Sequence, residues 1–121
     1  MSLSEPAAEP TVFERIIARE LPATIVFENE RLIALHPLEP QAPVHLLVVP
    51  KTSRYRDVAE LAAGDPALLA EVVATAQLLA TEHADGHFRL IFNTGANAGQ
   101  TVFHVHAHVL AGGLTEGSLA H

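Results

Sequence analysis

Three histidines occupy five positions near the C-terminal end of the chain, in the stretch TVFHVHAHVL at residues 101–110. His104, His106 and His108 alternate with apolar residues, and alternate side chains of a β-strand lie on the same face. The pattern therefore predicts a row of three imidazoles along one face of a strand. The residues beside them are expected to pack on the opposite face: Phe103, Val105, Ala107 and Val109. An imidazole titrates near neutral pH, so such a row can supply a nucleophile, proton donors or metal ligands.

Three interpretations of the row remain open from the residues alone: a structural role, a metal site, or a nucleophile with supporting donors. Residues four apart in a strand lie about 13 Å apart, whereas zinc binds nitrogen at about 2.0–2.1 Å. One ion could bind two of these histidines and a remote one such as His45, but it would reach all three with difficulty. Neighbouring imidazoles lower one another's pKa, and a neutral imidazole is a competent nucleophile. We therefore favour the nucleophile and predict neither a metal nor another cofactor.

A glycine-rich segment, TGANAGQ at residues 94–100, directly precedes the histidine strand. Gly95 and Gly99 would allow backbone N–H groups to converge on an anion, and Asn93 and Thr101 would add side-chain donors. The segment lacks the lysine of a P-loop and is not that motif. Placed just before the histidines, it predicts a histidine that faces a phosphate.

The elements around these segments predict an α+β fold, with about five strands in an antiparallel sheet and two helices. Thr11 is the expected N-cap of an N-terminal helix that stops before Pro22. Asp65 and Pro66 are expected to begin a long central helix that ends near Gly86. Two short strands are predicted within 24–35 around a turn at 28–30, and further strands at 44–50, 87–93 and 101–110.

Composition restricts the domain organisation and the partners. The 121 residues suit one domain, which we expect at 11–112, with a mobile leader at 1–10 and a tail at 113–121. A formal net charge of −7 argues against nucleic acid as a partner. No apolar run reaches the roughly 18 residues of a membrane span, so no membrane partner is predicted. The absence of cysteine fits a cytoplasmic protein.

Together these segments resemble the histidine triad (HIT) family. HVHAHVL at 104–110 has the form His-φ-His-φ-His-φ-φ, in which φ is apolar. The likeness extends to FERIIARELPATIVFENE, PQAPVHLLVVPK and IFNTGANAGQTVFHVHAHVL, and so covers roughly residues 11–112. It is strongest to the branch of histidine triad nucleotide-binding proteins, which implies a HIT-like fold.

The resemblance also implies roles for individual residues. His106 corresponds to the nucleophile that attacks the α-phosphorus of a purine nucleotide and becomes transiently nucleotidylated. His104 and His108 correspond to its proton-managing and phosphate-contacting partners, and His45 to a further active-site histidine. The implied phosphate and leaving-group contacts are Asn93, Gly99, Gln100 and Thr101. The implied apolar slot for the purine comprises Val12, Phe13, Ile16, Leu35 and Leu38.

The function implied is that of a hydrolase, a purine nucleoside phosphoramidase or nucleotidyl hydrolase that releases an amine from AMP or GMP without a metal. Members of this branch are typically homodimers whose sheets join into one sheet of ten strands. The sequence departs from the family at Pro37, where an acid usually holds the ribose hydroxyls; Glu39 stands two residues on. The tail also lacks the Trp-Pro ending of this branch. The replacement at Pro37 motivates an alternative to the enzyme, a catalytically weak nucleotide-binding or partner-binding module.

Overall fold

The computed structural model describes residues 9–118, and five strands form one antiparallel sheet within them in the order β1-β2-β3-β5-β4. The strands are β1 (Ile25–Glu28), β2 (Leu32–Leu35), β3 (Val44–Pro50), β4 (Arg89–Ile91) and β5 (Ala107–Ala111). Asn29 accepts hydrogen bonds from the backbone N–H groups of Arg31 and Leu32 and so closes the turn between β1 and β2. The predicted α+β architecture is confirmed.

Three α-helices accompany the sheet, one more than the sequence predicts: α1 (Val12–Ile17), α2 (Val58–Gly64) and α3 (Pro66–His83). Thr11 and Glu14 form a reciprocal capping box at the start of α1, and Asp65 caps α3 as expected. The missed helix α2 begins at its own cap, because the Asp57 carboxylate accepts a hydrogen bond from the Glu60 N–H. Single 3-10 turns follow at Ala96–Ala98 and Glu116–Ser118.

The two faces of the sheet pack against different helices. Helices α2 and α3 cover one face through an apolar cluster, which includes Ala34, Leu46, Val48, Leu61, Leu68, Val72, Ala76, Leu79, Ala107 and Val109. Helix α1 covers part of the other face through Phe13, Ile16, Ile33, Leu35, Leu47 and Val49. Strand alternation places His45 and His108 on this second face, next to the α1 cluster.

The histidine strand is shorter than predicted and begins at Ala107 rather than at residue 101. The preceding residues are irregular because they bond to another segment: the Val105 N–H donates to the Tyr55 carbonyl over 3.0 Å. Phe103 was expected to pack in the core, but 48% of its surface is exposed. The strand predicted at 87–93 likewise covers only Arg89–Ile91.

The ends of the predicted domain are only partly described. Glu9 and Pro10 are exposed and precede the Thr11 cap, whereas residues 1–8 of the predicted leader and 119–121 of the predicted tail lie outside the described residues. Between residues 9 and 118, no helix combines the length and apolar character needed to span a membrane.

Candidate active site

Neighbouring strands bring two of the predicted catalytic histidines into contact. His45 on β3 pairs with Leu110, and His108 on β5 pairs with Leu47, so the two histidines are diagonal neighbours on one face. The His45 Nε2 and His108 Nδ1 atoms are 3.0 Å apart. His45 comes from a segment 63 residues away from His108, and the antiparallel pairing of β3 with β5 is what joins them.

His104 and His106 lie in the irregular segment just before β5. The rings of His106 and His108 are 5.2 Å apart between centroids. The Phe13 ring of α1 contacts both of the first two histidines, at 5.9 Å from His104 and 4.8 Å from His106. All four predicted catalytic histidines therefore form one continuous group, although His104 is only 1% exposed and lies beneath the surface of the site.

Hydrogen bonds determine where the protons of His45 and His108 lie. The Gln41 backbone N–H donates to His45 Nδ1 over 2.9 Å, so this nitrogen carries no proton. The neutral ring of His45 consequently carries its proton on Nε2 and donates it to His108 Nδ1. His108 then carries its own proton on Nε2. This nitrogen makes no bond to His45 and can act as a hydrogen-bond donor.

A second set of hydrogen bonds gives His106 the other tautomer, with its proton on Nδ1. His106 Nδ1 lies 2.8 Å from the His104 carbonyl, which can only accept, so Nδ1 carries the proton. The Nε2 atom of neutral His106 is left with a free lone pair. His104 Nε2 likewise donates to the Pro50 carbonyl over 2.6 Å, and His104 Nδ1 is buried without a partner among the described residues. His106 therefore presents a lone pair next to the N–H donor of His108.

Burial keeps these rings neutral at physiological pH. Burial lowers the pKa of His45 and that of His106 below the ordinary value. Burial also lowers the pKa of His104, although the bond to the Pro50 carbonyl acts in the opposite direction. For His108, burial and the nearby rings of His106 and His45 together lower the pKa to about 4. A neutral row is the state in which a ring nitrogen can act as a nucleophile.

The glycine-rich loop differs from the predicted open cradle of amides. The Gly95 N–H donates to the Gln100 side-chain oxygen, and the Gly99 N–H donates to the Ala96 carbonyl. Both glycines have a positive φ, as the turn requires. Thr101 is exposed, and its amide makes no hydrogen bond within the described part of the chain. The Thr101 amide is therefore available to a ligand, whereas those of Gly95 and Gly99 are already occupied.

The predicted purine slot is only partly assembled. Phe13, Ile16 and Leu35 are buried together beneath the histidines. Val12 is 41% exposed and Leu38 is completely exposed, so these two do not join the cluster. A groove of about 610 Å³ adjoins the site, and its walls include Val12, Ser53, Arg56, Thr101, Val102 and Phe103.

The remaining predicted contacts make no hydrogen bond to the histidines within the described part of the chain. Asn93 is half-buried, with its amide group 3.8 Å from the position that a Cβ of Gly99 would take. Pro37 follows β2 and is half-buried, and the Glu39 side chain is exposed. Sequence reasoning missed the Gln41 amide and the Pro50 carbonyl, because a main-chain group that orients a histidine has no signature in residue type.

Comparisons with known proteins show which family the chain resembles. The HIT domain family profile matches residues 18–113. An uncharacterised HIT-like protein of Synechocystis is 44% identical over 109 residues, which cover 87% of this chain and 92% of that protein. The adenylylsulfatase HINT1 of Arabidopsis thaliana is 34% identical over 110 residues, with 88% of this chain and 74% of that protein covered.

Solved structures show the same fold. A HIT family hydrolase from Clostridium thermocellum superimposes with a TM-score of 0.80 and 42% identity, over 88% of this chain and 93% of that one. A zinc-bound histidine triad family protein from Mycobacterium smegmatis gives a TM-score of 0.68 and 31% identity, over 82% and 72% of the two chains. Among residues 9–118 of this chain, no group of three or more His, Asp or Glu side chains is arranged to hold a metal ion.

Proposed function

The chain belongs to the HIT family, and from this premise we propose that it is a purine nucleoside phosphoramidase or nucleotidyl hydrolase acting at the α-phosphorus. The observation that carries the proposal is the orientation of His106: its Nδ1–H donates to the His104 carbonyl, and its Nε2 lone pair is left free. The likeness to the HIT family hydrolase from Clostridium thermocellum supports a hydrolytic reaction.

The reaction proceeds in two displacements at phosphorus. The His106 Nε2 lone pair attacks the α-phosphorus, a new nitrogen–phosphorus bond forms, and the bond to the leaving amine breaks as the amine takes up a proton from solvent. Water then attacks the same phosphorus and gives up a proton to solvent, the bond to His106 breaks and returns the electron pair to Nε2, and the nucleoside monophosphate is released. The His108 Nε2–H is suited to donate to a phosphoryl oxygen in both steps, and His104 holds His106 through its carbonyl.

Removal of the nucleophile tests the proposal directly. We expect His106→Ala to lower kcat by at least about 10³-fold with the fold intact. A single turnover of wild type with labelled adenylated amine, quenched in denaturant, should leave the nucleotide bound to the protein. Turnover by the variant close to that of wild type would rule out this mechanism. The control is His87→Ala, because His87 is exposed and lies outside the histidine group.

The leaving group is best identified with a panel of adenylates. The relative from Arabidopsis thaliana bears the name adenylylsulfatase, so adenylyl sulfate belongs beside an adenylated amine, an aminoacyl adenylate and a dinucleoside polyphosphate. All of these present the same α-phosphorus to His106. We expect the amine adenylate to be the best substrate, and a higher kcat/KM for adenylyl sulfate would identify the sulfate as the preferred leaving group.

One observation favours the alternative of a binding module with little turnover. Leu38 and Val12, two of the expected purine contacts, are exposed, and Pro37 offers no carboxylate to the ribose. Calorimetry with AMP and GMP beside the activity assay separates the two functions. Binding of either nucleotide with no hydrolysis of any adenylate in the panel would favour the module.

We further propose that the enzyme is a cytoplasmic homodimer that works without a metal. Strand β4 is an edge of the sheet, and Val73 and Leu78 are exposed apolar residues on α3, which together suit a second copy. Light scattering should give twice the mass of 12.9 kDa. Untagged protein should keep its activity in EDTA, and loss of activity that zinc restores would establish a metal-dependent enzyme instead.

A further inference from the structure

The Gln100 side chain is buried and makes three hydrogen bonds to the backbone. It is 4% exposed. Its oxygen accepts from the Gly95 N–H over 2.8 Å, and its nitrogen donates to the carbonyls of Arg56 and Val102 over 2.6 and 3.0 Å. A side-chain amide has two N–H donors, so both are already used. The resemblance implied that Gln100 contacts the substrate, yet the side chain has no donor left for that task.

These bonds join three segments of the chain. The Gln100 backbone N–H also donates to the Gly95 carbonyl over 3.1 Å, so Gln100 closes the loop 95–100 with two bonds to a single residue. The bond to Arg56 crosses 44 positions of sequence and fixes this loop to the segment after β3. The bond to Val102 lies on the other side of Thr101, whose amide is available to a ligand.

The segment 50–56 holds the irregular histidine segment at two further points. The Tyr55 carbonyl accepts from the Val105 N–H, and the Pro50 carbonyl accepts from His104 Nε2. Three carbonyls of one segment thus receive donors from residues 100, 104 and 105. These bonds hold residues 100, 104 and 105 to the segment 50–56 ahead of the strand pairing, which begins only at Ala107.

We propose that Gln100 is a positioning residue: it holds the Thr101 amide and the His106 ring in their reactive places and does not touch the substrate. The expected effect of Gln100 on the reaction rate rests on the proposed function, whereas its role in holding the loop does not. The consequence is large because a small misplacement of a reacting group lowers the rate steeply.

Measurements on wild type test the structural part. The Gly95 amide should exchange with solvent at least about tenfold more slowly than the Thr101 amide, because only the former has a buried acceptor. When AMP is titrated, the Thr101 amide resonance should shift, and the side-chain NH₂ resonances of Gln100 should shift much less. Fast exchange at Gly95, or a large shift of the Gln100 NH₂ group, would overturn the proposal.

Variants test the catalytic part. Gln100→Met keeps the length of the side chain and removes its three bonds. We expect kcat to fall about 10- to 100-fold, by the same factor for an alkylamine and an arylamine adenylate, with Gly95 exchange accelerated. The matched control is Asn97→Ala, an exposed residue of the same loop, which should leave kcat unchanged. A loss that depends on the leaving group would show that Gln100 contacts the substrate and would overturn the proposal.

Two outcomes separate this inference from the proposed function. If wild type hydrolyses no adenylate, the proposed function fails, and the exchange rate of the Gly95 amide still decides whether Gln100 holds the loop. If wild type is active and Gln100→Met is as active, the positioning role fails and the proposed function stands. A Gln100→Met protein that does not fold leaves the decision to the wild-type exchange rates and the AMP titration.

Discussion

The two faces of the sheet are built from alternate residues of the same strands, but their buried groups differ in kind. On the face covered by α2 and α3, the buried cluster consists of apolar side chains, and α3 also buries Thr75. On the face covered by α1, the apolar cluster of Phe13 and Ile16 continues into His45, His104, His106 and His108. The apolar face depends on close packing, whereas the orientation of the histidines depends on hydrogen-bond partners at defined positions.

The residues that stabilise the fold and the residues that would carry out the reaction therefore lie on opposite faces of one sheet. A substitution on the apolar face should change the free energy of unfolding and leave the reaction alone. A substitution on the histidine face should change the reaction more than the stability, except where it alters a buried ring. The backbone groups that hold the histidines, such as the Pro50 carbonyl, belong to the second face.

The largest expected effect on stability comes from a cavity in the apolar face. Leu79 of α3 is 1% exposed and packs within the apolar cluster. We expect Leu79→Ala to lower the free energy of unfolding by about 3 kcal/mol and to leave kcat of the folded protein within about twofold of wild type. Urea denaturation measures the first quantity and steady-state kinetics the second. A loss of kcat comparable to that of His106→Ala would show that the two faces are not separable.

The next effect is a loss of stability in acid that originates on the histidine face. Burial and the rings of His106 and His45 lower the pKa of His108 to about 4, below the roughly 6.5 of an unfolded histidine. Between these values the unfolded chain binds more protons than the folded one, so the free energy of unfolding falls as the pH falls from 6.5 to 4. We expect His108 to account for about 1–2 kcal/mol of this fall in the free energy of unfolding. The effect is modest because the ring is partly exposed and solvent screens its charge.

Comparison of wild type with His108→Asn isolates this contribution. Urea denaturation of both proteins at pH 7 and pH 5 should show the smaller pH dependence in the variant. Equal pH dependence of the two proteins would mean that the folded environment does not disfavour the charged ring of His108.

The antiparallel sheet and the positions of several strands and helix starts follow from the sequence, and the histidine face follows only in part. Continuous apolar runs such as 44–50 and the Asp65–Pro66 signal fix strands and helix starts by local rules, and the structure matches them. The same rules contained the signal for α2, since Asp57 and Glu60 have the spacing of a helix N-terminus. The signal is weak because α2 is only seven residues long.

The irregular segment before β5 could not be predicted from alternation. The pattern of His104 to His108 is that of a regular strand, but the Val105 amide bonds to Tyr55, a residue 50 positions away. Likewise, Gly95 and Gly99 were expected to present free amides, and the Gln100 side chain and a 3-10 turn occupy them. The Val105 bond depends on a distant carbonyl coming within reach, and the Gly95 and Gly99 bonds depend on the conformation that the loop adopts. Residue type alone specifies neither.

A smaller effect is expected at Pro37, which follows β2 and stands where the resemblance implies an acid. With no carboxylate there, AMP and dAMP should bind within about threefold of each other. Pro37→Asp should strengthen AMP binding selectively by about 1–2 kcal/mol if the carboxylate accepts both ribose hydroxyls. Calorimetry with both nucleotides measures the difference, and dAMP controls for any relaxation of the loop. A strong preference of wild type for AMP that Glu39→Ala abolishes would assign the ribose contact to Glu39.

The smallest effect tests whether one backbone amide sets the protons of the His45–His108 pair. Gln41→Pro removes the N–H that donates to His45 Nδ1, and Gln41→Ala keeps it while removing the side-chain bond to the Glu39 carbonyl. One neutral hydrogen bond contributes about 1 kcal/mol, so we expect Gln41→Pro to lower kcat about fivefold and Gln41→Ala less than twofold. Nitrogen-15 spectra of the wild-type rings should show His45 protonated on Nε2 and His108 also on Nε2. A proton on His45 Nδ1 would refute the assignment, and so would equal rates of the two variants, because the amide would then not control which nitrogen of His108 faces the phosphate.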